Sequence, residues 1–170
     1  MANYNSFSLL SLAIVTLLLA SQNADALFPV NQFCKTATYK ILCTRMVHGA
    51  TNLQDASASA IRVAIHVANK IRALTPVVVQ AASDLDPTMK SQIVDTCKES
   101  FENTIEDLNL SLDLLRQGDM GGVGTRLSAA FDSDCLDALK EQGVAVPSLV
   151  RIYSKFEKVM DNSLAVAFQS

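Results

Sequence analysis

The sequence predicts an all-α fold: an up-and-down four-helix bundle with an N-terminal helical hairpin extension, held by two disulfides. Apolar residues recur at three and four positions through most of the chain, and no stretch alternates with the period of two that a half-buried strand requires. Glycine and proline are few, 6 and 4 of 170 residues, and glycine gathers where the periodic segments stop. The third observation is four cysteines, Cys34, Cys43, Cys97 and Cys135, downstream of a removable leader. An exported chain meets an oxidising compartment, where thiols become disulfides. Four cysteines allow three pairings, and their positions alone select none of them.

The leader itself is an apolar run over residues 9–20, broken only by Ser11 and Thr16. It is too short to span a bilayer, which needs about 20 apolar residues. Polar Ser21-Gln22-Asn23 follows, and Ala24-Asp25-Ala26 fits the small-x-small cleavage pattern, so the mature chain is expected to start at Leu27. Residues 1–26 are thus read as a signal peptide. Residues 27–170 are read as one domain, with 27–50 the hairpin extension and 51–170 the bundle. No later run reaches spanning length, and the expected protein is soluble and extracellular.

Within the bundle, Asp55 and Ser57 are expected N-caps for a helix carrying Ile61, Ala64, Ile65, Ala68 and Ile71 on one side. Pro76 should kink or end it, because proline lacks an N–H and crowds the preceding turn. Asp86-Pro87 opens the clearest element, a capping residue followed by proline in the first turn. Its stripe is Val94, Cys97, Phe101, Ile105, Leu108, Leu112 and Leu115, and Gly118 supplies the stop. Residues 118–124 read as a glycine-rich turn into a third helix bearing Leu127, Ala130, Phe131 and Cys135. Pro147-Ser148 opens the last helix, with Leu149, Ile152, Phe156, Met160 and Leu164 facing inward. Four amphipathic segments joined by short connections make a bundle.

Little in the chain suits catalysis. His48 and His66 have no partner in a ligand or triad arrangement, and no Cys-x-x-Cys pair suggests zinc or redox chemistry. The glycines at 118, 121, 122 and 124 lack the Lys-Ser/Thr ending and the preceding strand of a phosphate loop. No enzyme activity, metal or cofactor is expected. The formal net charge of −3, with no basic cluster, argues against nucleic acid, anionic membranes and polyanionic polysaccharide as partners. Asn109-Leu110-Ser111 is a glycosylation acceptor sequence, so Asn109 is a candidate attachment site.

The long helix also has a patterned outer face. At 100° per residue, Asp95, Glu99, Asn103, Glu106 and Asp113 gather opposite the apolar stripe, with Glu102 to one side and Leu110 in their midst. Such a face is either solvated surface or a rigid acidic ridge that docks on a basic partner. Pattern alone favours the solvated surface.

Four stretches converge on a family: residues 34–43 from Cys34 to Cys43; Thr96-Cys97-Lys98-Glu99-Ser100-Phe101; Leu127-Ser128-Ala129-Ala130-Phe131 with Cys135-Leu136-Asp137; and residues 161–166 beginning Asp161-Asn162. In this order, behind a signal peptide, they resemble the plant invertase and pectin methylesterase inhibitors. The resemblance implies a four-helix bundle with an N-terminal hairpin and the pairing Cys34–Cys43 and Cys97–Cys135. It also implies a secreted protein of the apoplast and cell wall. Invertase inhibitors commonly carry a Pro-Lys-Phe segment before the last cysteine's helix. The turn here reads Gly118-Asp119-Met120-Gly121-Gly122 instead, and residues 125–131 look more like the pectin methylesterase side. In that branch acidic residues after the third cysteine meet the enzyme cleft. The matching positions are Glu99, Asn103 and Glu106, with Asp137 after the fourth cysteine and Leu110 as an apolar contact. The implied function is inhibition of pectin methylesterase in a one-to-one complex. The alternatives are inhibition of acid invertase or a non-inhibitory apoplastic binding role. The chain departs from the family pattern at Lys40, at Pro76, at Asn103, and in its short Ala130–Cys135 connection.

Overall fold

The computed structural model describes residues 29–169, so the expected signal peptide and its cleavage site lie outside the described residues. A 3₁₀ turn at Gln32–Cys34 leads to α1 (Lys40–Met46), α2 (Leu53–Arg72), α3 (Thr75–Ala81) and α4 (Pro87–Gln117). Then come α5 (Met120–Ala129), α6 (Asp134–Glu141) and α7 (Pro147–Ala167). The bundle is formed by α2, α4, the α5–α6 pair and α7. Helix α2 packs on α7 and α4, α4 on α5 and α6, and α5 on α7. Every regular element among the described residues is helical, and the fold class is the one the sequence predicts.

The long helix forms where its signals place it. Asp86 caps it, its carboxylate accepting hydrogen bonds from Thr88 N (2.9 Å) and Met89 N (3.1 Å), and Pro87 occupies the first turn. Gly118 closes it in the left-handed region at φ 78°. A residue with Cβ would strain there, although nothing lies within 4 Å of the added atom. Its 31 residues span roughly 46 Å at 1.5 Å each. Cys97, Phe101, Leu108 and Leu115 are buried, and Phe101 meets Tyr153 tilted at 46° with centroids 6.5 Å apart, while Tyr153 meets Phe156 edge-on at 6.3 Å.

Three local expectations change. Helix α2 starts earlier than Asp55 or Ser57, because Asn52 takes the cap. Its Oδ1 accepts from Asp55 N (2.9 Å) while its Nδ2 donates to Asp55 Oδ2 (2.7 Å), a reciprocal lock that leaves Ser57 buried one turn inside. Pro76 falls in the first turn of α3, just past the break at residues 73–74, where its missing N–H is no loss.

Second, the glycine-rich stretch is mostly helix. Asp119 caps α5 by accepting from Gly122 N (2.9 Å), and a Cβ at Gly122 would come within 2.6 Å of the Asp119 carboxylate, which would have to shift. Third, the expected single third helix is two. Asp132 Oδ1 accepts from Asp134 N (2.8 Å) and Ser133 Oγ donates to Asp137 Oδ2 (2.9 Å). These local side-chain bonds compete with helix continuation, so α5 ends at Ala129 and α6 restarts at Asp134. Phe131, expected in the stripe, is left 46% exposed at the break.

The N-terminal segment contains one α-helix and a 3₁₀ turn, joined by the Cys34–Cys43 disulfide. It contributes to the common core through Ala37, Met46 and Val47. Asn162, completely buried on α7, accepts from Tyr39 N (3.2 Å) and donates to Tyr39 O (3.1 Å). One amide side chain thereby clamps the segment to the last helix.

Candidate functional site

An amphipathic helix with one face in the core must present the other, and α4 presents its acids. Asp95, Glu99, Glu102, Asn103, Glu106 and Asp113 are all exposed, while Leu110 is half-buried. The acids are not equivalent. Asp95 pairs with Lys98 (3.7 Å) and takes a hydrogen bond from Ser91 (3.2 Å). Asp113 pairs with Arg116. Asp107, turned toward α5, pairs with Arg126 (2.8 Å). Glu99, Glu102 and Glu106 form no ion pair among the described residues. The middle of the ridge therefore carries uncompensated charge on a rigid helix, flanked by neutralised ends.

The disulfide Cys97–Cys135 fastens α6 to α4 next to this segment, with its Cα atoms 4.3 Å apart. Whatever flanks Cys135 is thereby carried toward whatever flanks Cys97. Asp132 beside it, then burial, then Asp137 and Glu99 push the Asp134 carboxyl above its ordinary value. Glu99 and Asp137, far apart in sequence, thus act on the same carboxyl group. Asp132 and Asp134 join the acidic patch without having been singled out from the sequence. The signal was present in the shortness of the Ala130–Cys135 connection, which forces its acids close to the bridge. From behind, Tyr153 of α7 backs the cluster. Burial pushes its phenol up to about 12, against the opposing effect of Ser100, and Asp132 and Asp134 add to the rise.

The remaining candidates separate from this patch. Asn109 is exposed, but its Nδ2 donates to Ile105 O (2.7 Å), and Ser111 of the acceptor sequence is buried with its hydroxyl on Asp107 O (2.8 Å). That sequence lies within α4 rather than on the surface loop such acceptors favour. His48 and His66 are both exposed. Among the described residues no group of three or more His, Cys, Asp and Glu side chains could hold a metal ion, and no helix is long and apolar enough to cross a membrane. What the arrangement offers is not a nucleophile with a base but a fixed array of carboxylates, suited to contact with a cationic surface.

Residues 29–166 match the family described as plant invertase/pectin methylesterase inhibitor. Two solved structures share the fold. One is a mutant form A of a pectin methylesterase inhibitor from Arabidopsis, with a TM-score of 0.64 and 19% identity over 80% of this chain and 93% of that one. The other is a pectin methylesterase inhibitor from Arabidopsis thaliana, with a TM-score of 0.59 and 22% identity over 75% and 83%. No curated protein matches the chain in sequence.

Proposed function

Because the chain belongs to the plant invertase/pectin methylesterase inhibitor family, we propose that it inhibits pectin methylesterase by seating the outer face of α4 and the start of α6 over the enzyme's substrate cleft. The complex is one-to-one, and it forms in the cell wall after secretion. The protein supplies no chemistry of its own. Its bundle excludes the polymeric substrate while Glu99, Glu106 and Asp137 meet lysine or arginine around the cleft, with Asn103 and Leu110 between them.

The observation that supports this reading is the unequal pairing along the ridge. Asp95 and Asp113, towards the ends of the face, already have basic partners within the chain, which leaves the charge at its middle available to a partner. Here the unpaired glutamates lie at the middle, beside the disulfide that fixes α6. Contacts of this kind chiefly set association rate at the rim and dissociation rate where they are desolvated.

The test is inhibition of a plant pectin methylesterase by the disulfide-bonded protein. Glu99→Lys and Glu106→Lys should each weaken inhibition at least about tenfold, or roughly 1.4 kcal/mol, with melting temperature unchanged. Asp113→Lys should matter less, since Arg116 already neutralises Asp113. Added salt should weaken inhibition by the parent and have less effect on the glutamate variants. A pectin methylesterase left fully active by micromolar protein refutes the target, and acid invertase is then the enzyme to assay. Inhibition that survives all three reversals refutes the interface.

A further inference from the structure

We infer that the groove where α6 turns into α7 binds a small amphipathic carboxylate, an elongated apolar body with one anionic head. The groove has a volume of about 770 Å³, within the range of roughly 300–1,000 Å³ usual for small-molecule sites. Its floor and walls are built by Leu136, Leu139, Val144, Val146 and Val150. Val150 is 56% exposed, the most open of the large apolar side chains among the described residues. An apolar body laid here covers surface that the fold leaves in water.

The head group is specified by charge. The protein as a whole is acidic, at −3, yet this groove is lined by Lys140 and Arg151. Neither forms an ion pair among the described residues, whose three pairs use Lys98, Arg116 and Arg126. The lone carboxylate in the lining, Asp137, already accepts a hydrogen bond from Ser133 (2.9 Å).

A third positive contribution comes from the backbone. Helix α7 begins at Pro147 with no side-chain cap and no acidic residue in its first turn, so its dipole meets no carboxylate there, although Leu149 N and Val150 N already donate to Val146 O. Pro147, Val150 and Arg151 of that same turn line the groove. Two free cations and an uncapped helix end around an apolar floor favour an anion with a greasy body over a neutral or cationic one. A sugar acid fits poorly, because its hydroxyls would lie against aliphatic walls without partners.

The experiment is calorimetric titration of the disulfide-bonded protein with dodecanoate below its micellar concentration. Dodecyltrimethylammonium, with the same tail and opposite charge, and digalacturonate serve as comparators. Dodecanoate should bind one per chain with micromolar affinity, and the cation at least tenfold more weakly. Lys140→Glu combined with Arg151→Glu, and separately Val150→Asp, should each weaken dodecanoate at least tenfold without lowering the melting temperature. Equal affinity for the cationic probe, tighter binding of digalacturonate, no saturable binding, or indifference to the double reversal would overturn the assignment. Sedimentation showing a dimer that Val150→Asp dissolves would give the groove to a second copy instead. Inhibition of pectin methylesterase is read separately. Loss of inhibition in the double reversal, with dodecanoate binding unchanged, would assign the groove to the enzyme contact and likewise overturn it.

Discussion

Removing the Cys97–Cys135 bridge as Cys97→Ala/Cys135→Ala should be the most damaging two-residue change among the covalent features of this fold. The bridge closes a loop with a sequence separation of 38. The chain-entropy relation gives about 4 kcal/mol for a loop of that size at 25 °C, against about 2.6 kcal/mol for the separation of 9 between Cys34 and Cys43. Both Cys97 and Cys135 are wholly buried, so alanine also leaves a small void at each. Set against the roughly 5–15 kcal/mol that separates folded from unfolded domains, 4 kcal/mol is a large share. For a domain of this length it corresponds to roughly 10–15 °C of melting temperature. The assay is paired thermal and urea denaturation of the parent and of each double variant. Inhibition should fall as well, because α6 with Asp137 is then held to α4 by packing alone. A melting temperature within a few degrees of the parent, or a larger loss from removing the short bridge, refutes the loop-entropy reasoning.

Other perturbations have more local outcomes. Asn162→Ala should cost about 1–3 kcal/mol, since Tyr39 N loses its partner, and hydrogen exchange should accelerate over residues 31–47 before it does in α4. Gly118→Ala should cost about 1–2 kcal/mol through the left-handed backbone alone, read as a lower urea midpoint at unchanged slope. Asp134, whose folded carboxyl titrates above its ordinary value because of Asp132, disfavours the folded state once ionised. Stability should therefore decline as pH rises from the ordinary aspartate value, about 3.9, through the raised folded one. Asp134→Asn should remove that decline, melting higher than the parent at pH 7 and alike at pH 3.

Much of this architecture is legible from residue order. Asp86-Pro87 and Gly118 bracket α4 to the residue, and Pro147 opens α7, because capping and proline chemistry act within one turn and need no tertiary knowledge. The break between α5 and α6 is hidden for the opposite reason. Leu127, Ala130 and Phe131 keep helical spacing, so the apolar pattern runs on while Asp132 and Ser133 side chains end the helix. The ridge of α4 is legible as geometry, but which acids are already neutralised depends on rotamers, and Lys98 and Arg116 could have reached other partners. Asn162 is a polar residue in an apolar stripe, and periodicity can only register it as an exception. Its use appears once Tyr39, 123 positions earlier, is seen against it.

That clamp also fixes an order of assembly. Cys34 and Cys43 are nine positions apart and can close their ring as soon as both have been synthesised and oxidised. The clamp that holds the ring does not yet exist, because Asn162 lies 123 positions after Tyr39. The segment must wait through the synthesis of every other helix before its Tyr39 backbone finds the amide that holds it. Final docking of this segment therefore reports that α7 has been made. A product truncated before Asn162 would carry a correctly bridged ring held only by the apolar packing of Ala37, Met46 and Val47, without the clamp on Tyr39.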